Sequence, residues 1–323
     1  MTVQNVNIND IFVEKSRFSP GGVLYEPDFD KTGLEDSFAN MGIIHPVIIQ
    51  SDKGGQLHLI DGRKRIQFAL RNHFNEISAV ILPDTTPVTD IFTFILCNKR
   101  SGIEQSIMNK VRFICFAMDR DSPESWILNF LCPAFGFRPY SDFLKDCRRV
   151  NALPDELKLF CHEKKFSLKQ ILNLTHYPEE ILSQLMAWRP DIQLTASIMD
   201  EIASNLKDYL RAQNKTIADF PGEPGVAEIM GSTQSPRDKT ERLRELIRRK
   251  RFPVLSGVQV KMDKTVEGLN LPREISLEWD RTLENKNVDV TVHLKDIKEF
   301  DGLLDKVSSP EMKKALENLL DEL

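Results

Sequence analysis

The sequence predicts three folded parts of different class: an α/β domain over residues 1–102, an all-helical domain over 103–212 and a small α+β domain over 237–323. Three observations lead to this division. Strand-like and helix-like hydrophobic patterns alternate in the first part, whereas the second shows the helical period almost throughout. Glycine, proline, serine and threonine then accumulate within 213–236, which indicates a linker or long loop.

Length and composition agree with a soluble protein of several domains. The chain has 323 residues, of which 41% are hydrophobic and 28% charged. It has no long apolar run and no signal-like N-terminus, so we expect a cytoplasmic protein without a membrane span. Its five cysteines are widely spaced and form no Cys-x-x-Cys pair, which argues against zinc sites and a disulfide framework. The net charge of −5 excludes a uniformly basic surface but allows a local basic patch.

The elements of the first domain are predicted from turn residues and apolar spacing. Apolar residues three to four apart predict a helix over Asp30–Met41 that ends at Gly42. Gly54 and Gly55 predict a hairpin between two strands. The expected strands are Val6–Phe12, Ile43–Gln50, Gln56–Ile60 and Ser78–Leu82, and the further expected helices are 63–72 and Val88–Cys97.

The later elements follow from the same signals. Pro154 stands at a tolerated first-turn position of a helix, and Ser167 is expected to be an N-cap. The expected helices are Ile103–Met118, Glu124–Leu131, Arg138–Ala152, Asp155–Glu163, Ser167–Leu174, Glu179–Ala187 and Thr195–Ala212. The last domain should have a basic leading helix at 237–251, a helix at 253–269, strands at Glu274–Trp279 and Val288–Leu294, and one or two terminal helices.

The turn Asp61-Gly62-Arg63-Lys64-Arg65 is the clearest functional signal in the chain. It joins a strand to a helix and places three cations where the helix dipole prefers anions. A bound phosphate would explain these cations, since backbone N–H groups, a glycine and positive charge together form an anion site. The alternative is a solvated basic helix start that binds no ligand.

Three stretches of the sequence resemble one family. They are Gly42-Ile43-Ile44-His45-Pro46-Val47-Ile48-Ile49, then Leu59-Ile60-Asp61-Gly62-Arg63-Lys64-Arg65, and, more weakly, Leu153-Pro154-Asp155-Glu156-Leu157 with Phe166-Ser167-Leu168. They resemble the ParB chromosome and plasmid partitioning proteins over about residues 5–210. The resemblance implies a ParB/sulfiredoxin-like N-terminal α/β domain followed by a helix-turn-helix-like domain. Sulfiredoxin itself needs a cysteine beside the turn, and residues 61–65 contain none.

The resemblance also implies ligands and partners: CTP with Mg²⁺, double-stranded DNA, a homodimer, a partition ATPase, and association with the nucleoid. It implies no catalytic residue and a nucleotide-binding set of His45, Asp61, Gly62, Arg63, Lys64, Arg65, Asn98 and Arg100, with Asn98 as the metal ligand. Arg63 and Cys97 replace two acidic residues of the family. A thiol is a poor ligand for Mg²⁺, so these replacements argue against CTP hydrolysis.

Two basic segments are the predicted DNA-binding surfaces. Residues 138–149 occupy the recognition-helix position, although Asp142 and Asp146 would repel phosphates. Residues 237–251 hold eight cations and three acids, a pattern that also fits a solvated helix with internal salt bridges. The expected DNA contacts are Arg138, Tyr140, Ser141, Lys145, Arg148, Arg149, Arg242, Arg248, Arg249, Lys250 and Arg251.

Three functions therefore stay open at the level of sequence. The first is a DNA-binding partition or transcription-regulatory protein controlled by a nucleotide. The second is a nucleotide hydrolase or phosphotransferase of the same fold. The third is an interaction protein that kept the fold and lost both ligands.

Overall fold

The computed structural model of the chain describes residues 2–13, 16–18, 23–25, 36–38, 40–281 and 283–323. Within these ranges the protein is mixed α/β and mostly helical. The chain divides into two compact units, Met1–Ala187 and Trp188–Leu323. No helix in the described ranges is long and apolar enough to cross a membrane. The domain boundaries expected near residues 102 and 212 stay predictions.

The first unit begins with a mixed five-stranded sheet. Its strands are β1 (Val3–Asn7), β2 (Ile11–Phe12), β3 (Val47–Ser51), β4 (Leu57–Asp61) and β5 (Glu76–Leu82), in the order β1-β5-β3-β4-β2. Strand β3 runs parallel to β5 and antiparallel to β4. Helix α1 (Arg63–Arg71) contributes Ile66 and Ala69 to the core that covers this sheet.

The local patterns predicted most of this sheet. The strands expected at 43–50, 56–60 and 78–82 and the helix at 63–72 are confirmed within a few residues. The single strand expected at Val6–Phe12 is wrong, because a 3-10 turn at Ile8–Asp10 separates β1 from β2. The Asn7 side chain stabilises this turn by accepting the backbone N–H of Asn9 at 3.0 Å. Of the helix expected at 30–41, residues 36–38 and 40–41 are helical, and the others lie outside the described residues.

The rest of the first unit is helical. Its helices are α2 (Val88–Ile103), α3 (Ile107–Met118), α4 (Glu124–Trp126), a π-helical segment (Ile127–Leu131), α5 (Cys132–Ala134), α6 (Phe143–Asn151), α7 (Asp155–Glu163), α8 (Leu168–Leu174) and α9 (Glu179–Trp188), which ends at the boundary. The helix expected from Ile103 starts at Ile107 instead. The reason is Ser106, whose Oγ accepts the Asn109 backbone N–H at 3.1 Å and so caps α3. The predicted N-cap at Ser167 is confirmed and forms a capping box with Gln170.

The five cysteines, all within the described ranges, are free thiols. Cys97 is exposed, and the other four, the buried cysteines, are Cys115, Cys132, Cys147 and Cys161. Burial raises the pKa of Cys115 and Cys161 to about 12 and that of Cys132 to about 11. Burial also raises the pKa of Cys147.

The second unit combines a group of helices with a small two-stranded sheet that packs against the last helices of the chain. Its elements are α10 (Ala196–Gln213), α11 (Pro224–Gly231), α12 (Pro236–Arg251), α13 (Pro253–Glu267), β6 (Ile275–Trp279), β7 (Val288–Val292), α14 (Phe300–Val307) and α15 (Pro310–Glu322). Strands β6 and β7 pair antiparallel. The predicted basic helix, helix 253–269 and both strands are confirmed within a few residues.

The stretch 213–236 is not the loop that its composition predicts. It holds a 3-10 turn at Ile217–Asp219 and the helix α11. Phe220 and Val226 are fully buried, so the segment belongs to the core of the second unit. The loop prediction was wrong because proline also occurs at the start of helices. Pro224 stands at the first position of α11, where a missing N–H costs nothing.

Candidate phosphate site and nucleic-acid surfaces

The turn between β4 and α1 has the backbone that the sequence predicted. Gly62 is the N-cap of α1 and adopts φ 112° and ψ 20°. A Cβ on Gly62 would lie 2.6 Å from Cγ1 of Val47, a side chain that is fully buried. Glycine is required here for two reasons: its conformation favours glycine over other residues, and the close approach of β3 leaves no room for a methyl group.

The first turn of α1 carries no acidic residue and presents Arg63, Lys64 and Arg65. Lys64 is exposed, whereas Arg63 and Arg65 are half-buried. The first backbone N–H groups of a helix have no partner within it. The positive end of the helix dipole adds to the charge of the three side chains. This arrangement suits an anionic group more than a cationic one.

The guanidinium of Arg65 also forms hydrogen bonds to other groups of the protein. Nη2 donates to Oδ2 of Asp61 at 2.6 Å, and Nη1 donates to the carbonyl oxygen of His45 at 3.1 Å and to that of Pro46. The Arg65 and Asp61 side chains are 18% and 27% exposed. The structure thus brings together His45, Asp61, Gly62 and Arg65 of the predicted set. Asp61 and Arg65 are only four positions apart, and this proximity in the sequence is the signal that could have predicted their pairing.

Asn98 and Arg100 lie near the end of α2 and bond to their own helix. The amide of Asn98 donates to the carbonyl oxygen of Phe94 at 2.9 Å, and Nε of Arg100 donates to Glu104 at 2.9 Å. Their membership of the nucleotide site stays a prediction.

The predicted metal position offers one amide and the exposed thiol of Cys97, and Asp61 is engaged by Arg65. These groups do not fit Mg²⁺, which prefers carboxylate and water oxygens. No potential metal cluster of His, Cys, Asp and Glu occurs in the described ranges.

The predicted recognition helix starts later than expected. Helix α6 begins at Phe143, so Arg138, Tyr140 and Ser141 lie in the loop before it. Pro139 disfavours helical backbone at Arg138, which explains the later start. The Tyr140 hydroxyl donates to Asp146, and this bond raises the pKa of Tyr140 to about 12. Cys132 and Pro133, earlier in the chain, belong to the short helix α5.

Each cation on α6 has a carboxylate partner. Lys145 pairs with Asp142 at 2.8 Å, Arg148 with Asp119 at 2.9 Å and Arg149 with Asp146 at 3.2 Å. These three cations are 45–81% exposed, and exposed pairs contribute little stability. Lys145 and Arg148, whose carboxylate partners are exposed as well, can therefore exchange a carboxylate for a phosphate at low cost. Asp119 lies 29 positions from Arg148, so no local sequence pattern could have revealed it.

The cations of α12 bind neighbouring helices of the second unit. Arg244 pairs with Glu201 at 2.6 Å, Lys250 with Glu223 at 2.5 Å, and Arg251 with Asp208. These three cations are only 25–29% exposed. Arg242 pairs with Glu228, and Arg248 and Arg249 pair with Glu245, at higher exposure. The helix thus uses much of its charge to hold its own unit together, and DNA contact by Arg242, Arg248, Arg249, Lys250 and Arg251 stays a prediction.

Comparisons with known proteins give a distant likeness only. No family model matches the sequence, and no curated protein is similar to it. Among solved structures, C-terminally truncated ParB from Caulobacter crescentus bound to the centromeric parS site is similar with 12% identity and a TM-score of 0.30. That match covers 62% of this chain and 98% of the other. The same protein with CTP-γ-S matches at 11% identity and a TM-score of 0.25, covering 58% and 99%. Scores below 0.5 do not establish a shared overall fold, so neither complex identifies a ligand of this chain.

Proposed function

We propose that this chain is a ParB-like DNA-binding protein in which the turn after β4 binds the phosphate chain of a nucleotide. The observation that carries the proposal is the Gly62 turn, where a buried glycine with positive φ opens a helix whose first turn holds three cations and no acid. The sequence resemblance to the ParB family favours CTP as the nucleotide. Phosphate bound at the turn controls either the grip on DNA or the closure of a dimer.

The DNA-binding part of the proposal is supported by the exposed charges of α6 and the loop before it. Lys145 and Arg148 hold their carboxylates in exposed pairs, which a phosphate backbone can replace. Arg149 is itself exposed, but its partner Asp146 is more buried. On α12, only the more exposed cations Arg242, Arg248 and Arg249 are proposed to contact DNA. Hydrolysis is not part of the proposal, because Arg63 stands where the family has a glutamate.

Thermal unfolding of the full chain with CTP, ATP, GTP or no nucleotide tests the site, with and without Mg²⁺. A ligand at about 100 times its Kd adds roughly 2.7 kcal/mol, or about 5–10 °C for a unit of this size. Because Arg65 also holds the turn together, Arg65→Ala lowers the midpoint by itself. The quantity to compare is the rise that each variant shows on adding nucleotide.

Arg71→Ala is the matched control for this test, since it removes the same charge from the other end of α1. CTP should raise the midpoint of wild type and Arg71→Ala and leave that of Arg65→Ala unchanged. If no nucleotide raises the wild-type midpoint, the proposed site is wrong. If ATP rather than CTP does so, the phosphotransferase alternative takes precedence.

Duplex DNA binding is tested by fluorescence anisotropy over a series of salt concentrations. Each phosphate contact adds to the slope of log affinity against log salt. Replacing Lys145 and Arg149 together by alanine should reduce that slope by about two. An unchanged slope would show that α6 does not touch the phosphate backbone.

A second candidate function is favoured by the internal pairing of the cations. Arg65 and the cations of α6 and α12 discussed above hold protein acceptors, as expected of an interaction protein that kept the fold without the ligands. Such a protein would show neither nucleotide stabilisation nor DNA binding at low salt. The two experiments above therefore separate the two functions.

A further inference from the structure

An ion pair with Asp61 occupies Arg65, a half-buried cation of the proposed phosphate site. Oδ2 of Asp61 lies 2.6 Å from Nη2 of Arg65. The carbonyl oxygens of His45 and Pro46 fix the other end of the same guanidinium. The two residues before β3 thus set the orientation of Arg65, while Asp61 supplies a charged acceptor.

A carboxylate and a phosphate oxygen are equivalent acceptors for a guanidinium. Both accept short, charge-assisted hydrogen bonds from its planar fork of N–H groups. A phosphate that takes the Nη2 hydrogen bond now made to Asp61 therefore displaces the Asp61 carboxylate. If Asp61 stays nearby, its charge repels the phosphate. The site is partly buried, so this repulsion is less screened than it would be in water.

The backbone around this pair restricts how it can open. Asp61 is the last residue of β4 and lies opposite Ile48 in the sheet register. Gly62 is buried, and a Cβ at this position would lie 2.6 Å from Cγ1 of Val47. The pair opens when the Asp61 side chain rotates away from Arg65 while the backbone of the turn stays in place.

We propose that Asp61 is a built-in competitor that restricts the turn to polyphosphate ligands. A single phosphate gains too little at Arg65 to displace an attached carboxylate, whereas a triphosphate adds contacts at the remaining cations of the turn. This inference rests on the proposed function and adds the residue that limits affinity and the class of ligand that overcomes it. It also gives Asp61 a role opposite to that of a phosphate-binding residue.

Isothermal titration calorimetry on the full chain tests the inference, with CTP, tripolyphosphate and inorganic phosphate as probes. Asp61→Asn keeps the shape and a hydrogen-bond acceptor but removes the charge. It should tighten the binding of CTP and tripolyphosphate about tenfold, the effect of one charge-assisted contact. Asp61→Glu restores the charge and should bind like wild type. Asp84→Asn, which removes one charge from the loop between β5 and α2, is the matched control and should leave binding unchanged.

Each outcome separates this inference from the proposed site. If wild type binds CTP and Asp61→Asn binds no tighter, the competitor role is wrong and the site stands. If Asp84→Asn tightens binding as much as Asp61→Asn, general charge explains the effect and the competitor role is also wrong. If neither wild type nor Asp61→Asn binds any probe at millimolar concentration, both proposals are wrong. Binding by Asp61→Asn alone supports the competitor role, and far-UV circular dichroism confirms that each variant is folded.

Discussion

Replacing Gly62 with alanine should destabilise the first unit more than the same change at any open glycine turn. The backbone of Gly62 has φ 112°, and an L-residue in left-handed backbone costs about 1–2 kcal/mol. The new Cβ would also lie 2.6 Å from Cγ1 and 3.0 Å from Cβ of Val47. Overpacking of this kind costs about 1–3 kcal/mol. The expected loss is therefore roughly 2–5 kcal/mol, the sum of the two effects.

Gly55 provides the control that separates these two effects. It also has a positive φ, 79°, but a Cβ there meets nothing within 4 Å. Gly55→Ala should thus cost only the conformational term, about 1–2 kcal/mol. Urea unfolding of each variant, followed by far-UV circular dichroism, gives the two free energies.

A double-mutant cycle with Val47→Ala tests the contact itself. Val47→Ala creates a cavity and is destabilising alone, but it removes the methyl group that the new Cβ would strike. The two changes should therefore couple favourably, by about 0.5–3 kcal/mol. The reasoning is refuted if Gly62→Ala costs no more than Gly55→Ala, or if the two changes in the cycle simply add.

Three further predictions concern other parts of the chain. Burial raises the pKa of Glu223, but hydrogen bonds from Lys215, Lys250 and a tyrosine outweigh it and lower that pKa to about 2. The stability this carboxylate contributes is present above its ordinary pKa of 4.5 and is lost as pH falls toward about 2; Glu223→Gln should flatten that part of an acid-unfolding curve. Ser167→Ala removes the capping box of α8 and should cost about 1 kcal/mol in urea unfolding. In the native protein a thiol reagent should label Cys97 rapidly and the four buried cysteines only on unfolding, and mass spectrometry of the labelled peptides would detect a different order.

The backbone of the turn between β4 and α1 was predictable because its determinants are local. A strand, a glycine with positive φ and an amphipathic helix follow one another within a few residues of Gly62. The capping box at Ser167 was predictable for the same reason. In both places residues close in the sequence decide the backbone, so neighbouring sequence is sufficient.

The electrostatic character of the basic segments was not predictable, because their partners are distant in the sequence. Arg244 pairs with Glu201 and Arg251 pairs with Asp208. Both carboxylates lie on α10, a separate helix earlier in the chain. A count of cations over 237–251 cannot show this pairing. The helix at 224–231 was missed for a different reason, since proline and glycine favour loops on average but also occupy helix ends.

The pairing of α12 with its neighbours has a practical consequence for handling the protein. Cleavage near Ser232 would separate the cations of α12 from Glu201, Asp208 and Glu223, which lie on the other side of the cut. In the released fragment these α12 cations would lose their carboxylate partners, and this local positive charge would be retained on heparin or DNA resins. A partly degraded preparation would then behave like a nucleic-acid-binding protein on such a resin. Its retention would reflect the loss of the carboxylate partners of α12 and not a biological affinity.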